Sequence, residues 1–410
     1  PRSDLFKILK TVKQKVNFVN FPTGEIISQS KKSLSLPSIR LFENWKIRSS
    51  IPQYDISKID DWNPFHKFGI DLYEYQDHSV KRMIESKRSV LALKMGLGKT
   101  ICALSACHIL EKDKIIIVCP NNLKYQWKSE IERFELGESL VIDKGLDILK
   151  YTSQRFIILS YEMLNSNIDF FLSQNYDILI ADEIQKIKNP ESVSWKSMCC
   201  IKSEFIFALS GTPIQNSISD ILSIISFLNP FEFNPQWKFW VEYCDFTKAK
   251  ILGIKKNKVS DFRDRIYRYM INPKISSNAI KMPKVKEHEI SCTLDPDSRR
   301  IHNLYFNAAM PLISKSFNYS LTFGEKAKLN SLLTKARVAS TDSRLIDPNN
   351  QKSNRFSIIE KTIADIISSG EKVVIYSEWI KSTKLLIDFL DKSNIQYSIF
   401  NGEMSAKKRN

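Results

Sequence analysis

The stretch LALKMGLGKT, Leu91–Thr100, decides how the rest of the chain is read. An apolar run over Val90–Leu93 breaks into Gly96-Leu97-Gly98-Lys99-Thr100, and a helical pattern follows from Ile101 to Leu110. Strand, glycine-bearing loop and helix in that order make a phosphate cradle. Glycine lets backbone N–H groups approach an anion, and the helix presents its positive dipole end to it. In such a cradle Met95, Gly96, Leu97 and Gly98 form the loop, Lys99 neutralises the outer phosphates of a nucleotide, and the Thr100 hydroxyl binds Mg²⁺. The strict pattern places glycine where this chain has Leu93. Short glycine turns also serve as plain connectors, so the neighbouring segments decide.

Downstream, the apolar run Ile178–Ala181 leads directly into Asp182-Glu183. The C-terminal end of a strand is where α/β sheets place their ligand sites. In a phosphoryl-transfer site the first carboxylate holds Mg²⁺, and the second orients and deprotonates the attacking water. A solvated Asp-Glu turn is the alternative. A further apolar run ends at Leu209 and continues into Ser210-Gly211-Thr212-Pro213-Ile214-Gln215-Asn216. Its hydroxyls suit hydrogen bonds to the carboxylate motif, although alone it is an ordinary turn.

Between these segments short β-branched runs alternate with amphipathic stretches. Strands are expected at Val90–Leu93, Lys114–Cys119, Phe156–Leu159, Ile178–Ala181 and Phe205–Leu209. Helices are expected from Leu72 to Ser86 and at Lys99–Leu110, Leu123–Phe134, Trp195–Cys200 and Ser219–Phe227. Continuously apolar strands alternating with helices predict a parallel sheet covered on both faces. The expected layout is an N-terminal extension at 1–61, an α/β lobe at 62–235, a basic helical insertion at 236–350 and the opening of a second α/β unit at 351–410. The extension holds strand-like pieces at Val16–Phe21 and Ile39–Phe42. The insertion interleaves aromatic and basic residues at Trp237–Phe246 and includes DFRDRIYRYM, Asp261–Met270, as a basic helix. Trp240, Tyr267 and Tyr269 are candidates for base stacking, but aromatics at helical spacing usually belong to a core. From Ile358 a helix, a strand at Lys372–Tyr376, a helix at Ser382–Leu390 and a strand at Gln396–Phe400 are expected. Two strands cannot bury both faces of a sheet, so the chain is read as a fragment of a longer protein.

The composition of the 410 residues narrows the partners. Lys and Arg number 61 against 45 Asp and Glu, for a net charge of +16 and a pI near 9.3. Such an excess suits a polyanion, because neutralised phosphates release condensed counterions; a solvated Lys-rich surface is the alternative. Seven cysteines without a CxxC spacing fit reduced thiols in an intracellular protein and give no zinc site. Five histidines form no metal-spaced cluster, and no apolar run is long enough to span a membrane.

Taken together the motifs resemble those of the SWI/SNF-type DNA translocases of helicase superfamily two. In order they are LYEYQ (72–76), MGLGKT (95–100), IIIVCPNNLKYQWKSEI (115–131), ILSYEML (158–164), ILIADEIQKIKN (178–189) and ALSGTPIQN (208–216). ISFLNP (225–230), the basic insertion and VVIYSEW (373–379) follow. The resemblance spans about Leu72 to Arg409, and MGLGKT with SGTPIQN and KIKN is far more specific than a lone phosphate loop. It implies an α/β fold: a RecA-like P-loop NTPase lobe with a parallel sheet, a helical insertion and the first part of a second RecA-like lobe. It also implies ATP and Mg²⁺ as cofactors and double-stranded DNA as partner, held through its phosphate backbone with an affinity that falls steeply with salt. By position, Gln76 would read adenine, Lys99 and Thr100 would bind phosphate and Mg²⁺, Asp182 would hold the metal, and Glu183 would be the catalytic base. Gln185, Ser210, Gly211 and Thr212 would couple hydrolysis to DNA. Pro120, Asn121, Ser160, Tyr161, Gln215 and Asn216 would lie along the DNA.

Three departures accompany the resemblance. Leu93-Lys94 replaces an acidic pair, Gln185 stands where the motif usually has histidine, and the late motifs that supply arginine fingers are not found. An amide still bridges a donor and an acceptor, so coupling is expected to survive Gln185. Without arginine fingers the chain alone is expected to bind ATP weakly and hydrolyse it poorly. Two other readings remain open: an RNA helicase or restriction-system motor with the same core, and a nucleotide-sensing scaffold that does not hydrolyse.

Overall fold

The computed structural model describes residues 17–19, 26–28, 59, 65–151, 153–212, 218–229, 232–233, 236–246, 251–273, 275 and 286–400. The chain divides into two compact units, 1–281 with 405–410, and 282–404. In the N-terminal part β1 (Asn17–Val19) pairs antiparallel with β2 (Ile26–Ser28). Strand β1 lies inside the expected Val16–Phe21 piece, and Ile39–Phe42 lies outside the described residues.

The first unit is built on a sheet. Helix α1 (Glu74–Ser86) closes at Lys87, which takes a left-handed turn at φ 57°, and β3 (Arg88–Leu91) starts at once. The strand therefore ends two residues before the expected Leu93, and Ala92 and Leu93 open the glycine loop. Helix α2 (Lys99–Ile109), β4 (Ile115–Cys119) and α3 (Lys124–Arg133) follow, then β5 (Ser139–Ile142) and β6 (Phe156–Ser160). Next come α4 (Tyr161–Ser166), α5 (Ile168–Leu172), β7 (Tyr176–Asp182), α6 (Val193–Cys200), β8 (Ser203–Leu209) and α7 (Ile218–Leu228). Helix α8 (Gln236–Tyr243), strands β9 (Cys244–Phe246) and β10 (Ile251–Ile254), helix α9 (Val259–Tyr267) and β11 (Met270–Ile271) complete the unit. The main sheet has seven strands in the order β11-β3-β8-β7-β4-β6-β5, and every pair in it is parallel.

Apolar layers cover both faces. One joins α1, α2 and α3 to alternate strand residues such as Ile115, Ile117, Ile178, Ile180, Phe205 and Phe207. The other joins α4, α6 and α7 to the intervening residues Ile116, Val118, Leu179 and Ile206. Alternation within strands that are buried on both sides is the pattern expected of a parallel sheet. The α/β class is as the sequence implies, with two strands added. Strand β5 carries little sequence signal because Ser139–Ile142 is short and only partly buried. Strand β11 begins at the last residue of the expected Asp261–Met270 helix, which stops at Tyr267.

Residues 236–271 are less purely helical than expected. Strands β9 and β10 form an antiparallel pair, and Phe233, Phe239, Tyr243 and Ile266 pack with Ile221, Leu222 and Ile225 of α7. Polar bonds tie this layer down. Arg265 Nε donates to Glu232 at 2.7 Å, the Tyr269 hydroxyl donates to the same carboxylate at 2.7 Å, and Asn229 donates to the Tyr269 oxygen at 2.7 Å. Tyr269 and Trp240 are thus packing residues, whereas Tyr267 is 54% exposed.

The second unit is helical: α10 (Pro296–Asn318), α11 (Phe323–Thr341), α12 (Asn354–Ser368) and α13 (Ile380–Lys392). Asp295 caps α10 ahead of Pro296, and Thr322 with Glu325 forms a capping box on α11. Phe356 and Ile363 of α12 pack with Leu386 and Leu390 of α13. The expected strands at 372–376 and 396–400 take part in no ladder, and Val374, Tyr376 and Phe400 are exposed. A parallel strand is stable only within a sheet covered on both faces. Among the described residues no helix is long and apolar enough to cross a membrane.

Candidate active site

Strand order and register assemble the site. Strand β8 lies between β3 and β7, with Leu91 of β3 opposite Leu209 of β8 and Leu209 opposite Asp182 of β7. The glycine loop, the Ser210 turn and the carboxylate pair therefore leave the sheet side by side at its C-terminal edge, as the sequence expects of an α/β ligand site.

The loop is shaped by two left-handed glycines, Gly96 at φ 78° and Gly98 at φ 80°. A side chain at Gly98 would begin 2.3 Å from the Gln76 amide nitrogen, so the position needs glycine for space as well as for conformation. Gln76 is 6% exposed; its Nε2 donates to the Leu97 carbonyl at 3.1 Å and its Oε1 accepts from Tyr73 N–H at 3.0 Å. The Tyr75 hydroxyl donates to the same Leu97 carbonyl at 3.2 Å, a brace with no signature in the sequence. Lys99 folds back over the loop, donating to the Leu93 carbonyl at 3.2 Å, while Met95 and Gly96 form an exposed crest. Thr100, beside Lys99 in the first turn of α2, is half-buried. Gly211 closes the loop from the β8 side, where an added Cβ would stand 3.4 Å from Met95 Cγ and 3.6 Å from Lys99 Nζ.

Asp182 is 7% exposed. Its Oδ2 accepts the Trp127 indole N–H at 2.9 Å, and its Oδ1 accepts the Glu183 backbone N–H at 2.9 Å. Burial, with the nearby Glu183 charge adding to it, holds the Asp182 carboxyl above the usual carboxylate range, and the Trp127 bond opposes this. The Asp182 carboxylate and the Thr100 hydroxyl are hard oxygen donors of the kind Mg²⁺ takes, so the residues present fit that ion.

Glu183 follows at φ 50° and ψ 55°, a left-handed conformation that costs a non-glycine residue about 1–2 kcal/mol. The turn sends Gln185 back toward the carboxylate: Gln185 Nε2 donates to Glu183 Oε2. The Ser210 hydroxyl donates to Gln185 Oε1 at 2.7 Å, and Thr212 N–H donates to the Ser210 oxygen at 3.0 Å. Glu183, Gln185, Ser210 and Thr212 thus form a continuous chain of bonds from β7 to β8.

The residues expected along DNA are placed differently from one another. Pro120 is half-buried and Asn121 is exposed, at the turn between β4 and α3. Ser160 is 4% exposed and caps α4, accepting from Met163 N–H at 3.2 Å. Tyr161 is 2% exposed, and its hydroxyl donates to the Asp182 carbonyl at 2.7 Å. Both side chains are spent inside the fold, so a phosphate contact at this turn would have to come from backbone. Gln215 and Asn216 lie outside the described residues. Sequence alone does not mark Trp127, because one apolar residue on an amphipathic helix gives no sign of which acceptor its N–H will meet.

The family model described as the SNF2-related domain matches residues 75–345. Chromatin remodeling factor mit1 of Schizosaccharomyces pombe is 22% identical over 78% of this chain and 25% of its own length. The chromodomain-helicase-DNA-binding protein 1-like of Danio rerio is 24% identical over 89% of this chain and 38% of its own. A solved Sulfolobus solfataricus SWI2/SNF2 ATPase core in complex with dsDNA has 22% identity and a TM-score of 0.49, covering 82% of this chain and 74% of its own. The chain spans 25% to 38% of the length of the two curated relatives. The family match takes in the loop, the carboxylate pair and the Ser210 turn together, and the chain belongs to the SNF2-related family.

Proposed function

We propose that this chain is the ATP-hydrolysing part of an ATP-dependent double-stranded DNA translocase, which remodels protein–DNA complexes or anneals strands. The observation that carries the reading is the bonded chain Glu183–Gln185–Ser210–Thr212 beside the glycine loop. A solvated Asp-Glu turn has no reason to hold its second carboxylate in a strained turn and bond it to the next strand.

In this reading the N–H groups of 95–100 and the α2 N-terminus hold the phosphates, Lys99 swings from Leu93 onto the outer one, and Gln76 recognises adenine with the amide capacity the loop leaves over. Thr100 and Asp182 hold Mg²⁺, which supplies neutralisation of phosphate charge when bound. Glu183 takes the proton of the attacking water. Gln185 fixes the carboxylate's direction, and Ser210 and Thr212 pass the state of that bond to β8. The net charge of +16 and the exposed Asn121 turn suit a DNA backbone as the partner. Residues 1–61 are an extension, 62–235 the first RecA-like lobe, 236–350 a basic insertion and 351–410 the opening of a second lobe.

The test compares ATP hydrolysis by the full-length protein with duplex DNA, single-stranded DNA and RNA. Strongest stimulation by duplex is expected. Strongest stimulation by RNA would favour an RNA helicase, and no hydrolysis under any condition would favour a nucleotide-sensing scaffold.

A further inference from the structure

The indole of Trp127 is 2% exposed and directs its Nε1–H at Oδ2 of Asp182, 2.9 Å away. The other carboxylate oxygen takes the Glu183 N–H at the same distance, 2.9 Å. One donor on each oxygen fixes the rotation of the carboxylate and leaves each oxygen a lone pair. Outer hydrogen bonds of this kind orient carboxylates that ligate metals.

The helix that carries Trp127 is anchored at its start. Helix α3 begins immediately after the Pro120–Asn121 turn, and its first residue, Lys124, is 2% exposed. The Lys124 ammonium pairs with Asp143 and donates to the Ile142 carbonyl at 3.3 Å. Three residues later the same helix delivers the indole to Asp182. A buried indole needs some acceptor in any case, and Trp195 shows the purely structural solution: its Nε1 donates to the Ser223 carbonyl at 3.1 Å, and the ring is also 2% exposed. Trp127 differs in choosing a side-chain carboxylate at the end of β7.

We propose that the Trp127 indole N–H is a positioning group for the Asp182 carboxylate, which ties helix α3 and the turn that starts it to the cation site. The proposal rests on the nucleotide reading of that site. It is tested in the full-length protein by following Mn²⁺ binding in the presence of ADP by electron paramagnetic resonance, for wild type, Trp127→Phe and Trp195→Phe. Trp127→Phe is expected to weaken Mn²⁺ binding about tenfold or more, the range for lost outer partners of a metal ligand. Metal-free ADP binding should be unchanged, and Trp195→Phe should bind Mn²⁺ as wild type does. Unaltered Mn²⁺ affinity in Trp127→Phe overturns the proposal. Equal weakening in both variants also overturns it, since that marks general loosening. If Trp127→Phe does not fold, benzothienylalanine at 127, which keeps the ring shape and lacks the N–H, carries the same expectation. ADP-dependent Mn²⁺ binding in wild type with no weakening in Trp127→Phe defeats only this inference; no ADP-dependent Mn²⁺ binding in wild type defeats it together with the nucleotide reading.

Discussion

The Ser210 hydroxyl donates to Gln185 Oε1 at 2.7 Å, and through that bond the end of β8 holds the amide that faces Glu183. Gln185 uses one donor and one acceptor here, and a neutral imidazole also offers one of each. Gln185→His is therefore expected to keep DNA-stimulated ATP hydrolysis within a few-fold of wild type. Gln185→Leu removes both groups and is expected to lower kcat about tenfold or more, with the KM for ATP nearly unchanged. Steady-state kinetics distinguish the two; equal loss in both variants would mean that steric fit, not the bond pair, matters at this position.

Tyr267 and Tyr269 are two residues apart and opposite in role. Tyr269 bonds both Asn229 and Glu232, and Tyr267 is 54% exposed. Tyr269→Phe should cost about 1–2 kcal/mol for the lost hydrogen bonds. Tyr267→Ala should stay within about 0.5 kcal/mol of wild type. Urea denaturation of both variants checks the order, and a larger cost at Tyr267 would contradict the packing described.

This pair also shows where sequence stops short. DFRDRIYRYM reads as one continuous basic helix, but the helix ends at Tyr267 and Met270–Ile271 joins the sheet beside β3. Only a distant strand decides that. The loop, the carboxylate pair and the Ser210 turn were legible because each is a short motif at the end of an apolar run. Trp127 and Tyr75 were not, because their meaning lies in which oxygen each reaches across the fold. The segments at 372–376 and 396–400 had strand composition, yet composition supplies no neighbouring strand to pair with.

In the second unit Asp342 is 1% exposed and accepts from Arg344 Nε and Nη2, each at 2.9 Å, and from the Ser353 hydroxyl at 2.8 Å. Burial pushes its carboxyl up, but the bonds from Arg344 and Ser353 outweigh this and hold it below the usual range. A depressed folded value means the contribution is complete above the unfolded value of about 4 and is lost as pH falls through the folded one. Asp342→Ala should cost about 3 kcal/mol at neutral pH, because it leaves Arg344 and the α12 cap without their partner. Amide exchange at 353–357 reports the loss. Wild-type protection in the variant would contradict it.

Arg155 stitches the first unit at the opposite end of its sheet from the site. Its guanidinium donates to the carbonyls of Lys112 at 2.8 Å, Leu136 at 2.6 Å and Cys107 at 3.0 Å. Arg155→Ala is expected to cost about 3 kcal/mol, and Arg155→Lys to recover only part of it, since an ammonium lacks the planar fork. The midpoints of urea unfolding check both; full recovery by lysine would show that charge alone suffices.

The most direct test is the initial rate of ATP hydrolysis by the full-length protein at saturating duplex DNA, for wild type and Glu183→Gln. The glutamine keeps an oxygen for the Gln185 amide and loses the base, so DNA-stimulated hydrolysis should fall by about 100-fold or more while nucleotide binding persists. Stimulated hydrolysis at the wild-type rate in Glu183→Gln would contradict the assignment of Glu183 as the base and the mechanism built on it.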